Sequence, residues 1–284
     1  MTDKCDSSCS SCSSDCSDRK TEKPADENQM QINGRLAKIK NTIVVMSGKG
    51  GVGKTTVAAN LAMSLAMQGK KVGLLDADIH GPSMPTVLGA RGKEILVDNG
   101  ELLPAELTEN LKMISVGLLL PNFDDAVVWR GPMKNGVINQ FLRDVRWGDL
   151  DYLIIDLPPG TGDESMAIVD YIKDATGAII VTTPQEVSLA DVRKSVNFCH
   201  KVKLNILGVI ENMSGFACPC CNTITEIFKS GGGEKMAADM NIKFLGKVPI
   251  DPEIANCGDD GKAFVEHFPD SVSAKVFKDI IEKI

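Results

Sequence analysis

The chain has 284 residues, 43% of them hydrophobic and 24% charged, with nine cysteines and three histidines. Its 31 basic side chains against 38 acidic ones leave a net charge of −7, which argues against a global grip on nucleic-acid phosphates. No run reaches the ~18 apolar residues of a membrane span, and Met1 to Cys5 lacks the apolar core of a secretion signal, so the chain reads as soluble and cytoplasmic and its cysteines as something other than a disulfide framework.

Residues 1–33 differ from the rest. Between Thr2 and Gln29 there is no Val, Ile, Leu, Phe, Tyr, Trp or Met, so this tail cannot bury a core by itself. Its acids (Asp3, Asp6, Asp15, Asp18, Glu22, Asp26, Glu27) outnumber its bases (Lys4, Arg19, Lys20, Lys23), which argues against a nucleic-acid-binding arm. Cys5, Cys9, Cys12 and Cys16 follow the spacing C-x3-C-x2-C-x3-C among Ser and Asp spacers. Four thiols so close together suggest a metal site that orders the tail on binding, with iron-sulfur and zinc both open.

From about Asn41 short apolar runs recur at 42–46, 72–75, 113–116, 152–155, 178–181, 206–210 and 244–248. Each is too short for a helix and long enough for a buried strand. Between them lie helical stretches, most clearly Val57, Ala58, Leu61, Ala62, Leu65 and Ala66. The pattern predicts a doubly wound α/β domain over residues 34–284, with a mostly parallel sheet of about seven or eight strands.

The first run leads into Gly48-Lys49-Gly50-Gly51-Val52-Gly53-Lys54-Thr55, a G-x-x-x-x-G-K-[ST] loop followed by a helical stretch. The glycines let backbone N–H groups converge on phosphate oxygens, and the helix N-terminus adds its positive end. Lys54 supplies a charge to the outer phosphates and the Thr55 hydroxyl a ligand to Mg²⁺. Acids close two further runs: Asp76 and Asp78 after the second, and Asp156 before Gly160-Thr161-Gly162-Asp163 after a later one. In open α/β sheets ligands sit at that strand end, so Asp156 reads as a second Mg²⁺ holder.

Cys199 and Cys257 stand alone and read as small core residues. Cys218-Pro219-Cys220-Cys221 contains a C-x-x-C pair, Cys218 and Cys221. Two thiolates are half of what a tetrahedral zinc or four-iron cluster takes, so a two-fold homodimer would complete the set. A dithiol redox pair and an interchain zinc site compete, and Cys220 is either a bystander or an alternative ligand. Near the C-terminus Val272, Val276, Phe277, Ile280, Ile281 and Ile284 form an apolar stripe beside Lys275, Lys278 and Lys283, which fits either a membrane helix or a helix docked on its own domain.

Together the residues carry a resemblance. The loop from Lys49 to Thr56 resembles the deviant Walker A of the ParA/MinD class. That loop, Asp76-Ala77-Asp78-Ile79-His80-Gly81-Pro82-Ser83, Trp129-Arg130-Gly131-Pro132-Met133, the segment from Asp156 to Asp163, Thr183-Pro184-Gln185 and Glu211-Asn212-Met213-Ser214 resemble the Mrp/ApbC family of iron-sulfur cluster carrier ATPases. The cysteine tail is similar to that of its cytosolic scaffold branch.

The resemblance implies a SIMIBI-type P-loop NTPase fold, ATP with Mg²⁺, and a nucleotide-sandwich homodimer in which Lys49 reaches the partner's nucleotide. It further implies that Asp78 orients the attacking water, that residues 160–163 form a second switch and that Asn212 lies near the adenine, beside a loop formed by Gly48, Gly50, Gly51, Val52, Gly53, Lys54, Thr55 and Thr56. The cargo implied is a [4Fe-4S] cluster shared by Cys218 and Cys221 of two subunits, a second cluster sitting in the tail. Partners would be cluster donors and iron-sulfur apoproteins, with no nucleic acid and no membrane. A ParA/MinD-like spatial or regulatory ATPase and a zinc-stabilised NTPase are the alternatives.

Overall fold

Every apolar run forms a strand, because a segment buried on both faces satisfies its backbone by pairing along both edges. The computed structural model describes residues 27–120, 122, 129, 131–218, 220–221 and 223–284. In chain order these are α1 (Glu27–Leu36), β1 (Ile39–Ser47), α2 (Lys54–Met67), β2 (Val72–Asp76), α3 (Met84–Val87), β3 (Leu96–Asp98), β4 (Glu101–Leu103), β5 (Ala105–Thr108) and β6 (Leu111–Ser115). A short 3-10 turn follows, then α4 (Gly131–Asp144), β7 (Leu150–Asp156), α5 (Asp163–Tyr171), β8 (Gly177–Thr182), α6 (Glu186–Val202) and β9 (Ile206–Ala217). The last elements are β10 (Ile224–Thr225), α7 (Gly232–Asp239), β11 (Phe244–Ile250), α8 (Pro252–Asp259), α9 (Phe264–His267) and α10 (Val272–Ile281).

The main sheet runs β10-β9-β8-β1-β7-β2-β6-β5, with β11 also on β9, nine strands in all. The strands on the predicted runs pair in parallel, while the short edge strands β5 and β10 pair antiparallel with β6 and β9. Alternate residues of one strand feed opposite faces: Val44 and Met46 enter one apolar cluster, Ile43 and Val45 the other. Helices cover both clusters, as the doubly wound reading requires.

Two parts of the fold go beyond the expected pattern. The boundary expected at 33/34 falls inside α1, whose Ile32 is fully buried and whose Gln29 side chain donates to the Tyr171 carbonyl at 3.0 Å. β3 and β4 form a separate hairpin whose turn residues, Asn99 (φ 52) and Gly100 (φ 81), are both left-handed. The C-terminal stripe is also decided. Ala274, Phe277, Ile280 and Ile281 of α10 are buried in the cluster that contains α2, so this face docks on its own domain. Among the described residues no helix is long and apolar enough to cross a membrane.

Register sets the site. Val45 of β1 and Asp76 of β2 both align with Asp156 of β7, so the phosphate loop, Asp76 and Asp156 emerge at the same edge of the sheet.

Candidate functional site

The loop between β1 and α2 turns on Gly51 and Gly53, both left-handed at φ 78 and φ 79, where a side chain is strained. Gly48 is held for space instead: a Cβ there would lie 2.4 Å from the Asp191 backbone. Lys54 opens α2 and is 6% exposed, with Nζ 2.7 Å from Asp156 Oδ1 and 4.0 Å from Asp78 Oδ2. The Thr55 hydroxyl donates to Asp156 Oδ2 at 2.7 Å. Hydroxyl and carboxylate oxygens on one edge are the hard donors that Mg²⁺ takes. Lys49 is half-buried, its carbonyl accepting from the Ser47 hydroxyl at 2.9 Å.

Burial pushes the Asp156 carboxyl up from its ordinary value, and Lys54 and Thr55 oppose the shift. Asp76 is pushed up to about 7, first by burial and then by the neighbouring Asp156 charge. Its oxygens accept from the Ser115 hydroxyl at 2.8 Å and the Asp78 N–H at 3.2 Å, so Asp76 shapes the turn that carries Asp78. Gly160 (φ 86) donates its N–H to the Ser47 carbonyl at 2.9 Å, which ties the segment from Gly160 to Asp163 to the strand beneath the phosphate loop.

Asn212, at 8% exposure, donates from Nδ2 to the Val52 carbonyl at 2.9 Å. Beside this contact opens a cavity of about 530 Å³, lined by Gly53, Thr56, Asn212, Met213, Phe228 and Ile250 among others. It adjoins the phosphate loop, and its walls are mostly apolar with an amide at one edge.

Six residues beyond Asn212 the same chain reaches Cys218, where β9 and β10 form a hairpin around the C-x-x-C. Cys218 is half-buried, Cys220 and Cys221 are exposed, and all are free thiols. Cys221 Sγ lies 3.2 Å from Thr223 Oγ1, and hydrogen bonding to Thr223 and Cys218 holds its thiol below the ordinary value. Cys199 and Cys257 are buried, the first pushed up to about 12 by burial. Among the described residues no group of three or more His, Cys, Asp or Glu side chains is placed to hold a metal ion. Cys5, Cys9, Cys12 and Cys16 lie outside the described residues.

Over residues 38–284 the chain matches the ParA family described as NUBPL iron-transfer P-loop NTPase. The chain belongs to this iron-transfer P-loop NTPase family. It is 48% identical over 255 residues to the Bos taurus protein named cytosolic Fe-S cluster assembly factor NUBP2, a match covering 88% of this chain and 94% of that protein. Among solved structures it resembles the Archaeoglobus fulgidus nucleotide-binding protein in complex with ADP and cobalt, at 41% identity and TM-score 0.74 over 83% of this chain and 92% of that one. The cell division ATPase MinD of Pyrococcus furiosus is 26% identical with TM-score 0.62, over 86% and 98% of the two chains.

In this iron-transfer P-loop NTPase, two groups near the site escaped the sequence reading. Glu211 is fully buried and accepts from the Ser214 hydroxyl at 2.5 Å, the Gly231 N–H at 2.8 Å and the Gly233 N–H. Lys134 of α4 bridges the turn after β2 and the start of α5, contacting His80 and pairing with Glu164 Oε1 at 2.8 Å. Both lie inside or next to quoted motifs, but only the tertiary partners reveal their roles.

Proposed function

We propose that this chain binds and hydrolyses ATP and uses the cycle to assemble or transfer a [4Fe-4S] cluster to apoproteins in the cytosol. One observation carries the reading: Asn212 of β9 touches the phosphate loop, and Cys218 directly follows the end of the same strand, so one run of chain joins the loop to the C-x-x-C. The NUBP2 name of the bovine relative points the same way.

In this reading Lys54 neutralises the outer phosphates, and Thr55 and Asp156 hold the metal. Magnesium, when bound, neutralises charge developing on the transferred phosphoryl group. The backbone from Gly48 to Thr56 cradles the phosphates, and the cavity beside Asn212 takes the base. Asp78 orients the attacking water. Lys49 of the partner subunit enters across a sandwich homodimer and stabilises the transition state, as a cation delivered in trans does in phosphoryl transfer. The cluster is cargo: Cys218 and Cys221 from each of two chains supply four thiolates. The segment ahead of α1 supplies a second metal-binding unit through Cys5, Cys9, Cys12 and Cys16. Linkage is reciprocal, so a cluster favouring one dimer geometry also biases nucleotide affinity.

Anaerobic reconstitution with iron and sulfide tests this, followed by visible absorption, iron content and oligomeric state. A sulfide-to-iron charge-transfer band with a dimeric species is expected. A protein that takes up zinc and never develops that band would overturn the carrier reading.

A further inference from the structure

Phe228 stands at the rim of the 530 Å³ cavity with 47% of its surface exposed, on the segment that returns from the C-x-x-C hairpin to α7. Asn212 and Met213, on the outgoing leg, line the same space. Both legs of the hairpin that carries Cys218 and Cys221 therefore border the cavity.

The legs are joined at two levels. Gly215 (φ 78) lets them meet, since a Cβ there would lie 2.6 Å from Ile224 Cγ2. At the base, Glu211 Oε1 accepts from Ser214 Oγ on one leg and from the Gly231 N–H on the other, while Oε2 accepts from the Gly233 N–H at the start of α7. Ser214 Oγ also lies 3.1 Å from Ser230 Oγ. Charge-assisted bonds to a buried carboxylate are strong, and breaking them leaves the carboxylate unsatisfied. A displacement of the return leg is thus passed to the strand that holds Asn212.

We propose that Phe228 closes against the nucleotide base in this cavity, and that the Glu211 tie passes this closure to the C-x-x-C hairpin, so that base occupancy sets the geometry of the thiols in the same subunit. The inference rests on the reading of the cavity as the base site. A half-exposed ring beside a flat base gains stacking area on closure, and any base stacks because every base has a π-face. By reciprocity, cargo on the thiols changes nucleotide affinity by the same factor by which nucleotide changes cargo affinity.

The test uses the full chain with ADP as probe and tripolyphosphate as a ligand that fills the phosphate loop alone. Alkylation of Cys218 and Cys221 by iodoacetamide is timed by mass spectrometry, and binding is measured by calorimetry. ADP should change the alkylation rate at least about threefold, whereas tripolyphosphate should not. Phe228→Ala should weaken ADP about tenfold, a stacking-sized loss, without changing tripolyphosphate affinity, and Phe228→Trp should restore it. Glu211→Gln, and the milder Ser214→Ala should the first fail to fold, should bind ADP yet lose the ADP-dependent change in alkylation. A full alkylation response in these variants, or ADP binding by Phe228→Ala equal to wild type, would overturn the proposal. If Asn212→Ala and Phe228→Ala both bind ADP as wild type does, the base-site reading itself falls. If Asn212→Ala weakens ADP while the wild-type thiols ignore it, only the coupling falls.

Discussion

Asp76 and Asp156 stand opposite each other on the neighbouring parallel strands β2 and β7, and both side chains are buried. Lys54 sits 2.7 Å from Asp156 and so serves that partner first. Asp76 keeps hydrogen bonds from Ser115 and Asp78 without a cation of its own among the described residues.

This asymmetry predicts a pH dependence. Asp76 is pushed up to about 7, while in the unfolded chain its pKa is ~3.9, so the native state holds a proton that unfolding releases. Stability linked to that proton is fully present below about pH 4 and is lost as pH rises through about 7. As pH rises through about 7 the nucleotide-free protein should lose on the order of 1 kcal/mol of stability, read as a falling Tm. Asp76→Asn should flatten this part of the curve, and an unchanged slope in the variant would assign the titration elsewhere.

The two loop lysines should separate by experiment. Lys54→Ala removes the charge beside Asp156 and should abolish measurable ADP binding in calorimetry. Lys49→Ala should bind ADP within about threefold of wild type yet hydrolyse ATP on the order of 10³ times more slowly, the scale on which a cation supplied in trans acts. Equal loss of ADP binding in both variants would remove the division of labour between them.

Glycine substitutions offer a structural check. At Gly53 a Cβ would lie 2.2 Å from Asn212 Nδ2, and φ is 79, so Gly53→Ala combines a clash with backbone strain. The strain alone costs about 1–2 kcal/mol, and displacement of Asn212 from the Val52 carbonyl should weaken nucleotide binding further. At Gly50 nothing lies within 4 Å of the added carbon, so Gly50→Ala should melt close to wild type. Paired thermal melts decide the matter.

For the thiols, the double variant Cys218→Ser and Cys221→Ser should fail to form the shared dimer cluster on reconstitution. Cys220→Ser should load normally, because its neighbours already form the C-x-x-C pair. Iron content of the three proteins, with and without the four tail cysteines, distributes the metal between the two sites. Normal loading by the double variant would move the cluster away from the hairpin.

Most of the sheet was readable because a parallel strand buried on both faces is an unbroken apolar run, as 178–181 shows. β10 escaped because two residues, Ile224 and Thr225, carry no periodicity, and their pairing depends on the hairpin returning along β9. α1 begins within a charged, core-poor segment, and its one fully buried side chain, Ile32, gains a core only once the rest of the domain stands beside it. Phe228 lies in a loop, where a lone aromatic has no pattern to announce it. The α10 stripe was readable as apolar but equally suited to membrane or protein, and burial in the α2 cluster decided it.

The phosphate loop was determined by the sequence alone, because consecutive glycines, a lysine and a threonine act through adjacent backbone groups and need only a strand before and a helix after. The pairing of the C-x-x-C thiols is likewise local. Tertiary structure decided the rest. Lys54 meets Asp156 across 102 residues, and Asn212 meets Val52 across 160. Asp76 faces Asp156 only because β7 inserts between β1 and β2. Those contacts depend on strand order and register, which the order of residues along the chain does not spell out, and they determine which carboxylate Lys54 pairs with and which strand brings Asn212 to the phosphate loop.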